Sequence, residues 1–392
     1  MRARRPLPWC LLALAALAGC ATRLGPGDDR AFEVSAAWIG GRPAVAWYGG
    51  KLAHEAIFLR FADPRGRPTG PSLQLSDGAR DAFEPSLQDL HGDALVAWYE
   101  QEPAPRGAPA RQVALLARFG PDGRRRWQRQ LSADDASGRI PLVRVAGDAI
   151  HAAWLEHRGD ALPMLRVASL DSDGNWLRAP RDAARASRDT WNLNAAADAQ
   201  GAFHVVFDSA SEGRARELHW VVVQGERIER RQVSAEDGRD SVFPDIALQG
   251  NHFAVTWADA RDGNGEVYLR CGVLDASGAP PAPLPEAGAL RITRTAAESM
   301  GAYAAWHGTG IVIAWIEAAG NHAGLWRQSF DRECRPVSAP RRIAGWGGQA
   351  GIPSLAASGA GLALAWNGRR GAGAVALLKV WPRALSPDAT AR

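Results

Sequence analysis

Helical periodicity is what this chain lacks most. Beyond the first twenty residues no stretch repeats apolar positions at the spacing of an amphipathic helix, which argues against helical bundles and α/β sandwiches. The one marked apolar run, residues 7–18, is too short to span a bilayer as a helix. Cysteine is scarce at four, and Cys10 and Cys20 both fall in that leading segment. There is no Cys-x-x-Cys, no glycine-rich phosphate loop and no Ser-His-Asp arrangement. The nine histidines show no metal-ligand spacing, so neither metal nor cofactor is expected. Charge is nearly balanced. Removing Arg2, Arg4 and Arg5 from the formal +4 leaves +1, and arginines alternate with acids, so a nucleic-acid partner is not expected.

The first residues read as a targeting segment. Arg2, Arg4 and Arg5 form a positive start, and the apolar run closes in small residues. Leu17-Ala18-Gly19-Cys20 resembles the lipobox of bacterial lipoproteins. That resemblance implies cleavage before Cys20 and lipid on Cys20, with residues 1–19 as signal peptide. An ordinary secretory signal cut nearby is the alternative. Ala21 follows, not the Asp of inner-membrane retention, so the outer membrane is expected. Residues 20–30 then read as a tether and 31–385 as the folded part.

What is present is a repeat. Pro85 leads to Trp98, Pro141 to Trp154, Pro244 to Trp257 and Pro353 to Trp366, each over 13 residues and each through a glycine-containing turn. Looser copies end at Trp47, Phe207 and Trp315, and the seven anchors lie 50 to 58 residues apart. An Ala-Trp pair marks most second strands, as in Ala97-Trp98 and Ala153-Trp154. A third strand follows, as at 267–270, then a polar turn such as Asp171-Ser172-Asp173-Gly174 and an outer fourth strand. This grammar predicts an all-β, seven-bladed β-propeller of four-stranded antiparallel blades. Only six fourth strands are clear, so the last blade is read as incomplete, and six or eight blades stay open. Cys271 and Cys334 fall in adjacent units; an oxidising periplasm permits a bridge, but their unequal repeat positions argue against one.

With the blades laid out, the chain resembles the sialidase-like propeller superfamily. The best local match runs Trp257-Ala258-Asp259-Ala260-Arg261-Asp262-Gly263-Asn264-Gly265-Glu266-Val267-Tyr268. The Asp-box of that family, Ser-x-Asp-x-Gly-x-Thr-Trp, is approached only by residues 169–176, with one residue too many between Asp171 and Gly174 and no Thr before Trp176. The resemblance implies an arginine cluster for a substrate carboxylate, a Tyr nucleophile activated by a Glu, and an Asp acid/base. Arg139-Ile140-Pro141 spells the string at that family's first arginine, though here in the third unit. Of the four tyrosines, Tyr48 and Tyr99 adjoin repeat tryptophans, Tyr268 lies in a third strand and Tyr303 opens a first strand; none is clearly placed as that nucleophile.

Loops before strand one and after strand two emerge on one face, where a propeller normally binds its ligand. The candidates there are Arg80, Arg139, Arg188 and Arg239, with Asp81, Asp189 and Asp240 beside three of them. Acids recur two residues after the anchor as Glu100, Glu156, Asp259 and Glu317, and Trp191 and Trp346 stand in the same loops, suited to stacking on a sugar. The bland alternative is that the Arg-Asp pairs bridge blades and the acids accept loop N–H groups. The expected role is a lipid-anchored, non-catalytic binding module for a glycan or an envelope protein. A sialidase-like exo-glycosidase and an outer-membrane assembly scaffold are the alternatives, so catalysis stays open. Replacing Cys20 by Ser should release the protein from membranes in fractionation, and unchanged membrane retention would refute the lipid anchor.

Overall fold

Each Pro-to-Trp segment folds into a hairpin whose turn demands left-handed backbone. His91 and Gly92 carry φ of 55° and 87°, as Gly40 and Gly41 carry 54° and 75°, the two positive values of the tight turn that matches strand twist. The computed structural model describes residues 21–382 except 26–29, 51–53, 106–108, 212–213, 276–277, 281–287, 321, 345–349 and 371–372. Seven four-stranded antiparallel sheets are arranged as a propeller, with no α-helix among the described residues. The inner strands of blades I to VII are Arg30–Ile39, Asp81–Leu90, Ser137–Ala146, Leu193–Ala197, Ser241–Gln249, Glu298–His307 and Ser354–Ser358. The end of the channel at which these strands begin is called the top here.

The core lies between blades. Trp47, Trp98, Trp154, Phe207, Trp257, Trp315 and Trp366 are at most 2% exposed. Leu59 and Phe61 of blade I pack with Leu87, Val96 and Trp98 of blade II, and this sandwich recurs around the ring. Burying one indole removes about 200 Å² from water, about 5 kcal/mol by transfer bookkeeping. In four blades the indole N–H donates to the acid two residues on: Trp98 to Glu100 and Trp154 to Glu156 (both 3.1 Å), Trp257 to Asp259 (2.9 Å) and Trp315 to Glu317 (3.2 Å).

Adjacent inner strands share no ladder, so side chains join them. Ser354 accepts the Ala36 N–H, Ser35 that of Leu87, Ser86 that of Val143 and Asp245 that of Ala304, at 2.6–3.2 Å. Each acceptor sits one residue past the repeat-proline position, and each donor two residues past it in the next blade. At the rim, Asp81 accepts the Glu55 N–H (2.8 Å), Ser137 that of Gln112 (3.0 Å), Asp240 that of Arg216 (2.9 Å) and Glu298 that of Gly265 (2.7 Å). The residues that open these inner strands, or in blade V just precede the strand, therefore cap the third strand of the preceding blade.

Two expectations are corrected. The seventh blade is complete: Thr22 and Arg23 pair with Leu378 and Leu377 as its outer strand, and the Leu24 N–H bonds the Ala376 carbonyl. Residues 22–24 thus belong to the ring, not to a tether, and their pairing covers the outer edge that the third strand of this blade would otherwise expose. The Cys271–Cys334 bridge also exists, with a Cα separation of 5.6 Å. The twist between blades brings the third strand of blade V beside the turn of blade VI, so unequal repeat positions meet. Leu24 is fully buried against Val45, Trp47 and Ala365. Truncating it to Ala should cost about 2–4 kcal/mol in chemical denaturation, whereas a tether residue would cost nothing.

Candidate functional site

The inner strands are not regular. In blades I, II, III, V and VI the register breaks at a bulge near the top. The bulged residue has positive φ in every case: Glu33 (33°), Glu84 (54°), Ile140 (52°), Phe243 (55°) and Gly301 (58°). Glycine suits this conformation, and four of the five positions hold something else at a cost of about 1–3 kcal/mol apiece. Strain kept at one depth of the channel marks the place to look for function. Two of those residues, on neighbouring blades, are glutamates.

Around Glu33 and Glu84 stands an aromatic row: Phe32 to Tyr48 at 5.5 Å, Tyr48 to Phe83 edge-on at 5.3 Å, and Phe83 to Tyr99 at 5.4 Å between ring centres. Tyr48 and Tyr99 follow Trp47 and Trp98 directly, and strand alternation turns them away from the indole side. From blade III comes Arg139, 6% exposed, its guanidinium 3.7 Å from the Trp191 ring centre. Its Nη2 donates to the Thr190 carbonyl at 3.1 Å, and more weakly to that of Arg188 at 3.5 Å. Nε is buried without a partner, and Arg139 pairs with no carboxylate among the described residues. The Thr190 hydroxyl holds the Asp208 carbonyl, while Asp208 Oδ1 is buried and unbonded and Oδ2 accepts from Asn192 at 2.6 Å.

The electrostatics follow from burial. The Glu84 carboxyl is pushed up to about 8, first by desolvation and then by Glu33, against the pull of the Arg139 guanidinium. Glu33 is raised by desolvation too, though water reaches its side chain, so it lines a wet recess with protein walls. Desolvation and the two glutamates push the Tyr48 and Tyr99 phenols well above their ordinary range. At neutral pH the recess therefore favours a proton on Glu84, beside the Glu33 carboxyl, the Arg139 guanidinium and two neutral phenols. Below it lies a cavity of about 400 Å³ lined by all seven blades. There Arg144 donates to the Ala195 carbonyl and Asn194 Oδ1 at 2.5 Å, and Asp245 is pushed up to about 6 by burial.

Of the four arginines singled out in the sequence, the structure places only Arg139 in this recess. Arg80 pairs with Glu102 at 3.1 Å, and Arg188 donates to the Asp160 carbonyl. Arg239 is exposed in a loop whose Asp237 accepts its backbone N–H at 2.8 Å. Glu100, Glu156, Asp259 and Glu317 are buried and hold the indoles. Glu156 also takes the Ala133 N–H, and Asp259 the Ser241 hydroxyl and Arg261. Trp191 is 53% exposed beside Arg139, and Trp346 lies outside the described residues, as does Cys20. Sequence reasoning missed Glu33 and Glu84, whose signal was an acid just ahead of the repeat-proline position.

No family model and no curated protein matches the chain. Solved structures do match, and those with TM-scores above 0.5 give the fold as a β-propeller. An ulvan lyase, described as a new polysaccharide lyase family, aligns at 10% identity over 92% of this chain and 95% of its own, with a TM-score of 0.57. It has also been solved bound to -[GlcA(1-4)Rha3S]-. A Hadza microbial sialidase aligns at 10% identity over 88% and 74%, with a TM-score of 0.51. Of a prolyl endopeptidase the chain spans 45%, at 13% identity, 86% of this chain and a TM-score of 0.48.

A carboxyl near 8 when folded, against 4.5 ordinarily, keeps the extra proton on the folded state between those values, so stability falls as pH rises through that window. The charges bearing on this step are Glu33, Arg139, Tyr48, Tyr99 and Tyr303. Glu84→Gln should therefore leave the melting temperature unchanged near pH 4 and raise it near pH 9. An equal shift at both would contradict the assignment.

Proposed function

We propose that this chain is a lipid-anchored cell-envelope propeller that binds a carboxylate-bearing glycan in the recess above blades I to IV. One observation carries the reading: Arg139, almost fully buried and stacked on Trp191, forms no ion pair with a carboxylate among the described residues. A desolvated guanidinium with an unused N–H is matched by a carboxylate from outside, because the nearby Glu84 acts on it only through space and leaves that N–H unbonded. An exposed indole face and the rings of Phe32, Phe83 and the two tyrosines suit the apolar faces of sugar rings. The protonated Glu84 lowers the repulsion an acidic sugar would meet from two carboxylates. Sialidases and polysaccharide lyases among the fold relatives are named for glycan substrates, which agrees with this class of ligand. The anchor rests on Leu17-Ala18-Gly19-Cys20, and Ala21 after it favours the outer membrane.

Calorimetric titration at about pH 6 with oligouronates, sialyl-oligosaccharides and neutral oligosaccharides tests the reading. Binding should be confined to the acidic sugars, and Arg139→Ala or Trp191→Ala should weaken it about 10- to 100-fold. Equal affinity for neutral glycans, or no loss in either variant, would remove it.

A further inference from the structure

The pair of glutamates asks for more than binding. Glu33 and Glu84 occupy the same bulge position on adjacent inner strands, both in left-handed backbone, and both are bordered by phenols. A recess that merely held an acidic sugar would be weakened by two carboxylates. Its arginine would serve better alone. The guanidinium from the next blade, buried with a free Nε, gives the reacting sugar a fixed point beside the pair.

We infer that the recess hydrolyses a glycosidic bond of the acidic glycan, with Glu84 as the proton donor to the leaving oxygen and Glu33 as the base that deprotonates the attacking water; the inference rests on the binding reading above. The bond from the anomeric carbon to the leaving oxygen breaks with its electron pair on oxygen, and that oxygen takes the Glu84 proton. A water oxygen bonds to the anomeric carbon from the opposite side and gives its proton to Glu33. Passing that proton to Glu84 restores the starting state, a step the neighbouring positions favour. Two neighbouring carboxyl groups that share one proton supply acid and base at one pH, and the partly buried Glu84 is the one assigned the proton while the more exposed Glu33 faces the water. The phenols are neutral donors in this scheme, because burial and both glutamates oppose a phenolate. This departs from the Tyr nucleophile that the sialidase resemblance implied.

The test uses the full mature chain, in detergent, against oligouronates and sialyl-oligosaccharides. New reducing ends are counted from about pH 4 to pH 9, and the first-formed anomer is read by proton NMR. Turnover with inversion is expected, with kcat/KM falling above about pH 8. Glu84→Gln and Glu33→Gln should each lower kcat about 100-fold or more while retaining affinity by calorimetry. Glu84→Gln copies the protonated side chain, so loss of turnover in a variant that binds and melts no lower than the parent is chemical. Acidic glycan bound without new reducing ends at any pH would overturn the hydrolytic step and leave the binding reading standing. An unsaturated product or retention at the anomeric carbon would overturn it too, whereas absence of binding would take both readings down together.

Discussion

Every blade must bury an aromatic anchor against its neighbour, and an indole brings an N–H that the core cannot leave empty. Placing a carboxylate two residues further along the same strand answers it, since positions i and i+2 share a face. The solution costs a buried acid, which is itself made tolerable by other donors, as Glu156 shows with Ala133, Arg158 and Arg166. Blades I and VII carry Gly49 and Gly368 at that position, and blade IV departs further. Its anchor is Phe207, and the indole moves to Trp220 on the third strand, where His204 accepts its N–H at 3.2 Å. The same need is met with different residues, so the constraint is the buried donor and not the particular pair.

Because inner strands of adjacent blades are joined by side chains alone, the channel wall is where the sequence has freedom. Ser35, Ser86, Asp245 and Ser354 use it to stitch the ring. The corresponding residue of blade III is Leu142, which cannot accept, and Arg144 crosses to blade IV instead through Asn194 and Ala195. One turn higher the bulges release the backbone from the ladder, and there the wall turns from fastening to chemistry.

The propeller was legible because its period is written in Pro, Gly and Trp, whose physical roles are fixed wherever they occur. The closing strand was not. Thr22 and Arg23 form no pattern of their own, and only circularity assigns them a partner. The repeated acids Glu100, Glu156, Asp259 and Glu317 drew attention through periodicity, yet periodicity is the signature of framework: a ring needs the same fastening at each blade. A site breaks the symmetry, so Glu33, Glu84 and Arg139 are different residues at comparable places. Nothing in a glutamate announces positive φ, and the tertiary bulge that imposes it stayed out of reach. Arg139, singled out through its string, lies in the recess, whereas Arg80, Arg188 and Arg239 shared its neighbourhood in sequence and pair elsewhere or face solvent.

The outer strand of blade VII fixes how the protein would stand on a bilayer. It runs upward, so the chain before Thr22 heads toward the far end of the channel from the recess. With an acyl group on Cys20, as proposed, a link of about 7 Å holds the flank of that blade close to the lipid. So short a leash would restrict tumbling. The mouth holding the glutamates would point outward from the membrane, toward polymers too large to slip beneath the ring.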